Sequence, residues 1–317
     1  DSLKEALSQA GFTNLGNNPE DAALICDDSL NQKKVIQSVD AFPALISDPF
    51  LNARLTTLHA CSDIWACGAE VASAQALITL PAVGKAIQRH LLAESLSGIK
   101  SVLDIQKAQL LGGHTLESRS IPPYPFSLGM QIGISVNGFS GKNQRLWQKS
   151  GLQPGDSILL SRKIGTGVIF AASMLGKVQS EIVDKALFEL DKSQHLLVKE
   201  LIDLPDHKDV IHACTDITGF GLLGHLGEMI ISSNNERIKN RKKEIGISID
   251  VDKIKTLDGT LDLLYAEIFS SLAPDNRLAW RFIKQNKYIK LKFVDSSVSS
   301  QYYKAILELL IDPQTCG

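Results

Sequence analysis

Two kinds of hydrophobic spacing alternate along this chain, and the alternation limits its fold more than any other feature. Runs of period two at residues 22–25 and 35–39 flank a polar turn and predict a β-hairpin. Behind Asp48-Pro49 the spacing becomes helical, with Leu51, Leu55, Leu58, Ser62 and Trp65 on one face, which predicts a helix that starts at the proline and ends near Gly68. A strand at 74–80 follows. Ile87, Leu91, Leu92, Leu96, Ile99, Val102 and Leu103 then trace one face of a long helix at 85–109, and 126–136 reads as another strand. The polar, glycine-containing stretch 137–151 suits a linker, so the expected domains are 1–145 and 146–317. Beyond it the pattern resumes: a short buried strand at 158–160, a helix opened by Gly165-Thr166-Gly167, a helix at 180–203, a strand at 208–214, a helix at 219–233 and a strand at 246–251. Strands and helices mixed in this way predict an α+β fold of two domains.

Composition removes several classes of function. Hydrophobic residues make up 44% and charged residues 21%, enough apolar surface to bury a core in each domain. A net charge of -2 gives no general attraction to nucleic acid or to an anionic membrane; the one basic run, Arg237 to Lys243, reads either as a solvated loop or as a local patch. No apolar run reaches membrane-spanning length and the first residues lack the layout of a secretory signal, so a cytoplasmic protein is expected. Cysteines at 26, 61, 67, 214 and 316 form no Cys-x-x-Cys pair, which points to reduced thiols. His59 with Cys61 and His212 with Cys214 make a poor two-His, two-Cys zinc site, because the first pair lies in an expected helix, where a spacing of two sends side chains to different faces.

The candidate chemistry lies in carboxylates at the ends of elements. Asp216 follows a strand-like run and precedes Leu222, Leu223, Leu226, Met229 and Ile230, one face of a helix. Two readings stand for it: a helix cap, or an acid held where exposed amides and the helix dipole meet a ligand. Gly219, Gly221 and Gly224 cost helix stability and indicate backbone brought close to another backbone or to a ligand. His59-Ala60-Cys61-Ser62-Asp63 nearly repeats His212-Ala213-Cys214-Thr215-Asp216 and supplies a second acid, Asp63, among apolar neighbours. Asp21 precedes the first strand and Asp40 ends the second. Each acid alone is a turn or surface residue; together they are what a Mg²⁺-nucleotide site needs, since Mg²⁺ takes oxygen ligands. Gly112-Gly113-His114-Thr115 reads as a helix stop and turn, or as backbone amides open to phosphate.

Residues 215–226 (TDITGFGLLGHL), together with Asp312-Pro313-Gln314-Thr315, resemble the signature of the selenide, water dikinases (selenophosphate synthetases) of the aminoimidazole ribonucleotide synthetase-like superfamily. The resemblance extends to Glu20-Asp21-Ala22-Ala23, Asp48-Pro49-Phe50, Ser62-Asp63-Ile64, Gly112-Gly113-His114-Thr115 and residues 152–167. It implies an N-terminal domain whose mixed sheet pairs across a homodimer, an α/β C-terminal domain, and ATP between them. It implies conversion of ATP, selenide and water into selenophosphate, AMP and phosphate, without nucleic-acid or membrane partners. By position, Asp21, Asp63 and Asp216 match the family's Mg²⁺ ligands; Glu20, Asp40 and Asp63 match nucleotide-site acids; Gly113, His114 and Thr115 match a nucleotide-binding turn contributed across the dimer. The family's catalytic Cys (or selenocysteine) and Lys align ahead of Asp1. In some relatives a flavin-dependent NADH dehydrogenase-like domain precedes the dikinase, and a piece of such a fusion would begin here. His59 stands where the family often has Asn, and Cys316 where it has Ser. Two other readings stay open: a non-catalytic nucleotide-binding module of a fused redox protein, and a superfamily relative acting on a different small acceptor.

Overall fold

The computed structural model describes residues 9–10, 20–28, 33–118, 129–141, 144–205, 210–285, 287–294 and 298–315; Cys316 and most of the leading segment fall outside them. The first half is one sheet under two helices. Strands β1 (Ala23–Asp28) and β2 (Lys33–Pro43) form the hairpin, helix α1 (Pro49–Ala66) follows, and β3 (Glu70–Leu80) leads through α2 (Lys85–Ile105) into β4 (Gln109–Glu117); β5 (Gln131–Phe139) closes the set. The order is β1-β2-β5-β3-β4, antiparallel except for β3 and β4, whose parallel pairing requires the α2 crossover.

Helix α1 starts where the sequence predicts. The Asp48 carboxylate accepts from the Leu51 N–H at 2.8 Å, and Pro49 occupies the first turn, where its missing N–H costs nothing. The helix is buried nearly all round, between the sheet and α2. Thr56 and Thr57 satisfy their hydroxyls on the carbonyls of Asn52 and Ala53. Gly98 lets α2 cross closely, for a Cβ there would stand 2.2 Å from the Phe50 carbonyl oxygen. Ile36, Ile78, Ile132 and Ile134 from the sheet meet Leu55, Leu58 and Ile64 from α1, each under 3% exposed. Each such side chain contributes about 1.5–3 kcal/mol by leaving water. The opposite face of the sheet carries exposed apolar groups: Leu77 shares a side with Ala41 and His114 by register, and Val39 and Leu116 lie two residues from those partners.

Helices α3 (Thr166–Met174), α4 (Ser180–Leu190), α5 (His195–Ile202) and α6 (Gly221–Lys239) follow. The rest is β6 (Ile247–Asp250), α7 (Thr260–Tyr265), α8 (Ala273–Asn276), α9 (Arg281–Lys284), β7 (Ile289–Lys292) and α10 (Ser300–Ile311). A second core gathers α3, α6, α7, α10 and the parallel pair β6–β7. Phe170 and Leu190 pack instead on the first core, and Arg54 of α1 pairs with Asp191, so the two halves are joined by more than the chain.

Several expectations need correction. The 180–203 helix is two, broken at 191–194; among the described residues, 158–160 and the part of 208–214 from residue 210 on form no ladder, and Leu159 is 87% exposed rather than buried. The stretch 137–151 is not a free linker: β5 runs to Phe139, and Trp147, Lys149 and Ser150 are buried between the halves. Asp40 stands inside β2 rather than at its end. Gly112-Gly113-His114-Thr115 is edge strand β4, not a turn, because the parallel pairing with β3 captures those amides; a Cβ on Gly113 would meet the Ala76 carbonyl oxygen at 1.9 Å.

Candidate metal and nucleotide site

Three elements far apart in sequence bring their carboxylates to one point. Asp21 enters from the segment leading into β1, Asp63 from the last turn of α1, and Asp216 from the extended stretch ahead of α6. One ligand atom of each lies within 4.8 Å of the others, the group among the described residues with the donors and spacing to hold a metal ion. Asp40 and Ser38, two residues apart on β2, face α1 together: Ser38 Oγ donates to Asp63 Oδ2, and Asp40 hydrogen-bonds Asp63. Ser62 Oγ donates to Asp216 Oδ2 at 2.6 Å and Thr215 Oγ1 to Asp21 Oδ1 at 3.2 Å.

The near-repeat of the sequence thus has a geometric meaning, since Ser62-Asp63 and Thr215-Asp216 supply hydroxyl and acid to the same spot from opposite halves. The helix-cap reading of Asp216 does not hold. Helix α6 has Phe220 at its N-cap with no side-chain cap bond. Gly221, at φ +68, serves packing: a Cβ there would sit 2.6 Å from the Ile311 carbonyl carbon. Gly224 faces Phe220, and nothing lies within 4 Å of a Cβ on Gly219.

Burial is the leading cause of every shift at this point. It raises Asp63 to about 8, with Asp40 and Asp21 adding and Ser38 subtracting, and raises Asp40 to about 6. It lifts Asp216 well above the carboxylate range, with help from Asp21 and Asp63, and lifts Asp21 despite Lys149. The Cys214 thiol is pushed up to about 12 by burial and by Asp21 and Asp216, a packed group rather than a nucleophile. Acids crowded out of water without enough cations favour a bound divalent ion, whose charge would offset the shifts. An all-carboxylate donor set fits a hard ion of the Mg²⁺ class.

Sequence reasoning missed Lys149, which stands in the supposed linker. Its Nζ reaches Asp21 Oδ1 at 2.9 Å and Glu228 Oε2 at 3.1 Å, and its N–H donates to Glu20 Oε2 at 2.8 Å. Burial would lower it, but Asp21 and Glu228 outweigh that and hold it charged. A lysine in a polar stretch gives no signal of such a place. Glu20 therefore lies at the site through Lys149. His114 and its neighbours do not: the row Asp40, Ile134, Ala76, Gly113 crosses three strand spacings, about 14 Å, so β4 stands apart from the acids within one chain.

The family models for the N-terminal and C-terminal domains of AIR synthase related proteins match residues 19–135 and 153–271. The chain belongs to the AIR synthase related family. Among relatives, the selenide, water dikinase of Clostridium botulinum (strain Eklund 17B / Type B) is 29% identical over 285 residues, 89% of this chain and 70% of that protein. That of Pelobacter propionicus is 30% identical over 199 residues, 63% of this chain, which spans about half of that relative's length (52%). Solved structures share the fold: Aquifex aeolicus thiamine monophosphate kinase (TM-score 0.61, 14% identity, covering 99% and 85% of the two chains) and the hydrogenase maturation protein HypE of E. coli (0.60, 16%, 93% and 94%). Both show a fold laid out like that of this chain.

Proposed function

We propose that this member of the family is an ATP-dependent phosphotransferase that makes selenophosphate from selenide, releasing AMP and phosphate. The observation that carries the reading is the meeting of Asp21, Asp63 and Asp216 in one buried group. In it these aspartates hold Mg²⁺, which when bound neutralises phosphate charge during transfer. Ser38, Ser62 and Thr215 orient the carboxylates, Asp40 and Glu20 border the nucleotide, and Lys149 balances Asp21 where the metal does not. Selenide as acceptor is supported by similarity to selenide, water dikinases across 89% of the chain. The exposed face around Val39 and Leu77 supports a homodimer whose partner brings Gly113, His114 and Thr115 toward the nucleotide. Incubating the full-length protein with Mg²⁺, ATP and selenide should yield selenophosphate and AMP in equal amounts by ³¹P NMR. ATP left intact, or phosphate passed only to another acceptor, would overturn the reading.

A further inference from the structure

Asp21 stands in a bend ahead of β1, where no helix or strand fixes its backbone. What holds it is Lys149. The backbone N–H of Lys149 donates to Glu20 Oε2 at 2.8 Å and its ammonium to Asp21 Oδ1 at 2.9 Å, so one residue grips two consecutive acids. Glu228 Oε2, 3.1 Å away on α6, holds the ammonium from the other half of the molecule. The Thr215 hydroxyl reaches the same oxygen of Asp21 at 3.2 Å, which leaves Oδ2 as the atom to offer an ion. The residues just before Lys149 are tied to the limbs that carry the other two acids. The Trp147 N–H donates to the carbonyl of Cys67, at the C-cap of the helix that bears Asp63, and the Gln148 carbonyl accepts from the N–H of Cys214, two residues before Asp216. One short segment, 147–149, thus joins all three.

The side chains of Lys149 and Asp21 are 9% and 5% exposed. An ion pair taken out of water adds little net stability over apolar side chains of the same size, so stability does not account for a charge here. Orientation does. A carboxylate that presents one oxygen to a metal needs the other held, and the partners behind metal ligands are worth about 10–100-fold in affinity. We infer that Lys149 is a positioning residue of the metal site, which fixes Asp21 through Oδ1 so that Oδ2 is presented to the divalent ion, while Glu228 keeps the ammonium out of the ion's own place. The inference rests on the metal reading proposed above and is independent of the acceptor. It also has a distinctive sign. A bare positive charge beside a cation site weakens binding, so its removal should tighten the ion, whereas the loss of a positioning group does the reverse.

The test uses the full-length protein with Mn²⁺ alone as the probe, its affinity read by electron paramagnetic resonance. Lys149→Met should weaken Mn²⁺ binding about tenfold or more, and Lys149→Arg, which keeps a charged donor between the two acids, should recover most of the loss. Ser150→Ala breaks another tie of the same segment, the hydroxyl that donates to Glu236 Oε1 at 2.7 Å; it should lower the denaturation midpoint and leave Mn²⁺ affinity unchanged. A second readout needs only the wild type: with ¹⁵N-labelled lysine, the Lys149 ammonium resonance should persist when Mg²⁺ is added. Mn²⁺ held by Lys149→Met as tightly as by the wild type or more so, an equal loss in Ser150→Ala, or an ammonium signal that vanishes with Mg²⁺ because the lysine only filled the ion's place, would overturn the inference. A wild type that binds no Mn²⁺ would sink the metal reading and this inference with it. Mn²⁺ binding as expected but no selenophosphate formed would sink the proposed reaction and leave Lys149 in its role.

Discussion

At the scale of single residues, the crowded carboxylates make two measurable demands. Folding raises Asp63 and Asp40 from an ordinary 3.8 to about 8 and about 6, so the folded state binds protons the unfolded chain has released. Stability from these groups is therefore fully present below pH 4 and falls as pH rises toward 8. In EDTA the melting temperature should drop between pH 6 and pH 8, and Mg²⁺ should raise it more at pH 8, where it competes with fewer protons. Calorimetry with and without metal checks both signs; a metal effect independent of pH would refute the account. Asp216→Asn replaces a carboxyl whose ionisation burial disfavours. It should raise the metal-free melting temperature while lowering ATP turnover about a hundredfold or more. Among residues, the acids were legible in the sequence because each sits beside a turn or in an apolar neighbourhood where a charge is out of place. Lys149 was not, since its role depends on which groups face it across the fold.

Elements show where periodicity succeeds and where it fails. Helix α1 was readable from Asp48-Pro49 and its leucine spacing, and the hairpin from its alternation, because local preference and burial agree there. Strand β4 was misread as a turn: Gly112 and Gly113 carry a local turn signal, but pairing with β3 overrides it and uses their lack of Cβ for close approach. Residues 208–214 look like a strand by composition, but their described part, 210–214, lacks a ladder partner among the described residues, because its contacts go to residues 148–156, the Cys214 N–H to the Gln148 carbonyl and His212 to Asp156. The glycines at the entrance of α6 invite a direct test. Gly221→Ala puts a Cβ against Ile311 at a positive φ and should cost about 1–3 kcal/mol of stability, read by denaturant unfolding. Gly219, with open space around it, should accept Ala with little change.

For the whole molecule, the site exists only because two cores meet. Asp21 and Asp63 belong to the half built on the five-stranded sheet, while Asp216 belongs to the half built around α6 and α10. No sequence spacing encodes that meeting, which arises from the packing of residues 144–152 between the halves. The exposed sheet face gives a prediction at the same scale. Val39 and Leu77, 68% and 47% exposed, form the centre of the proposed dimer contact. Leu77→Glu should turn a dimer into a monomer in analytical ultracentrifugation and leave the Mg²⁺-dependent stabilisation intact, since Asp21, Asp63 and Asp216 lie in one chain.

Helix α3 has no cap of its own. Gln314 Oε1 accepts from the N–H groups of Gly165 and Thr166, and Asp312 Oδ2 from that of Gly167, across nearly 150 residues of chain. On the ribosome these amides must wait, wetted by solvent, until almost the last described residue has emerged. The second half is therefore tied shut by residues 312–314, like a drawstring bag, and translation stalled before Asp312 would leave it open to proteases and chaperones while the sheet-bearing half is already built.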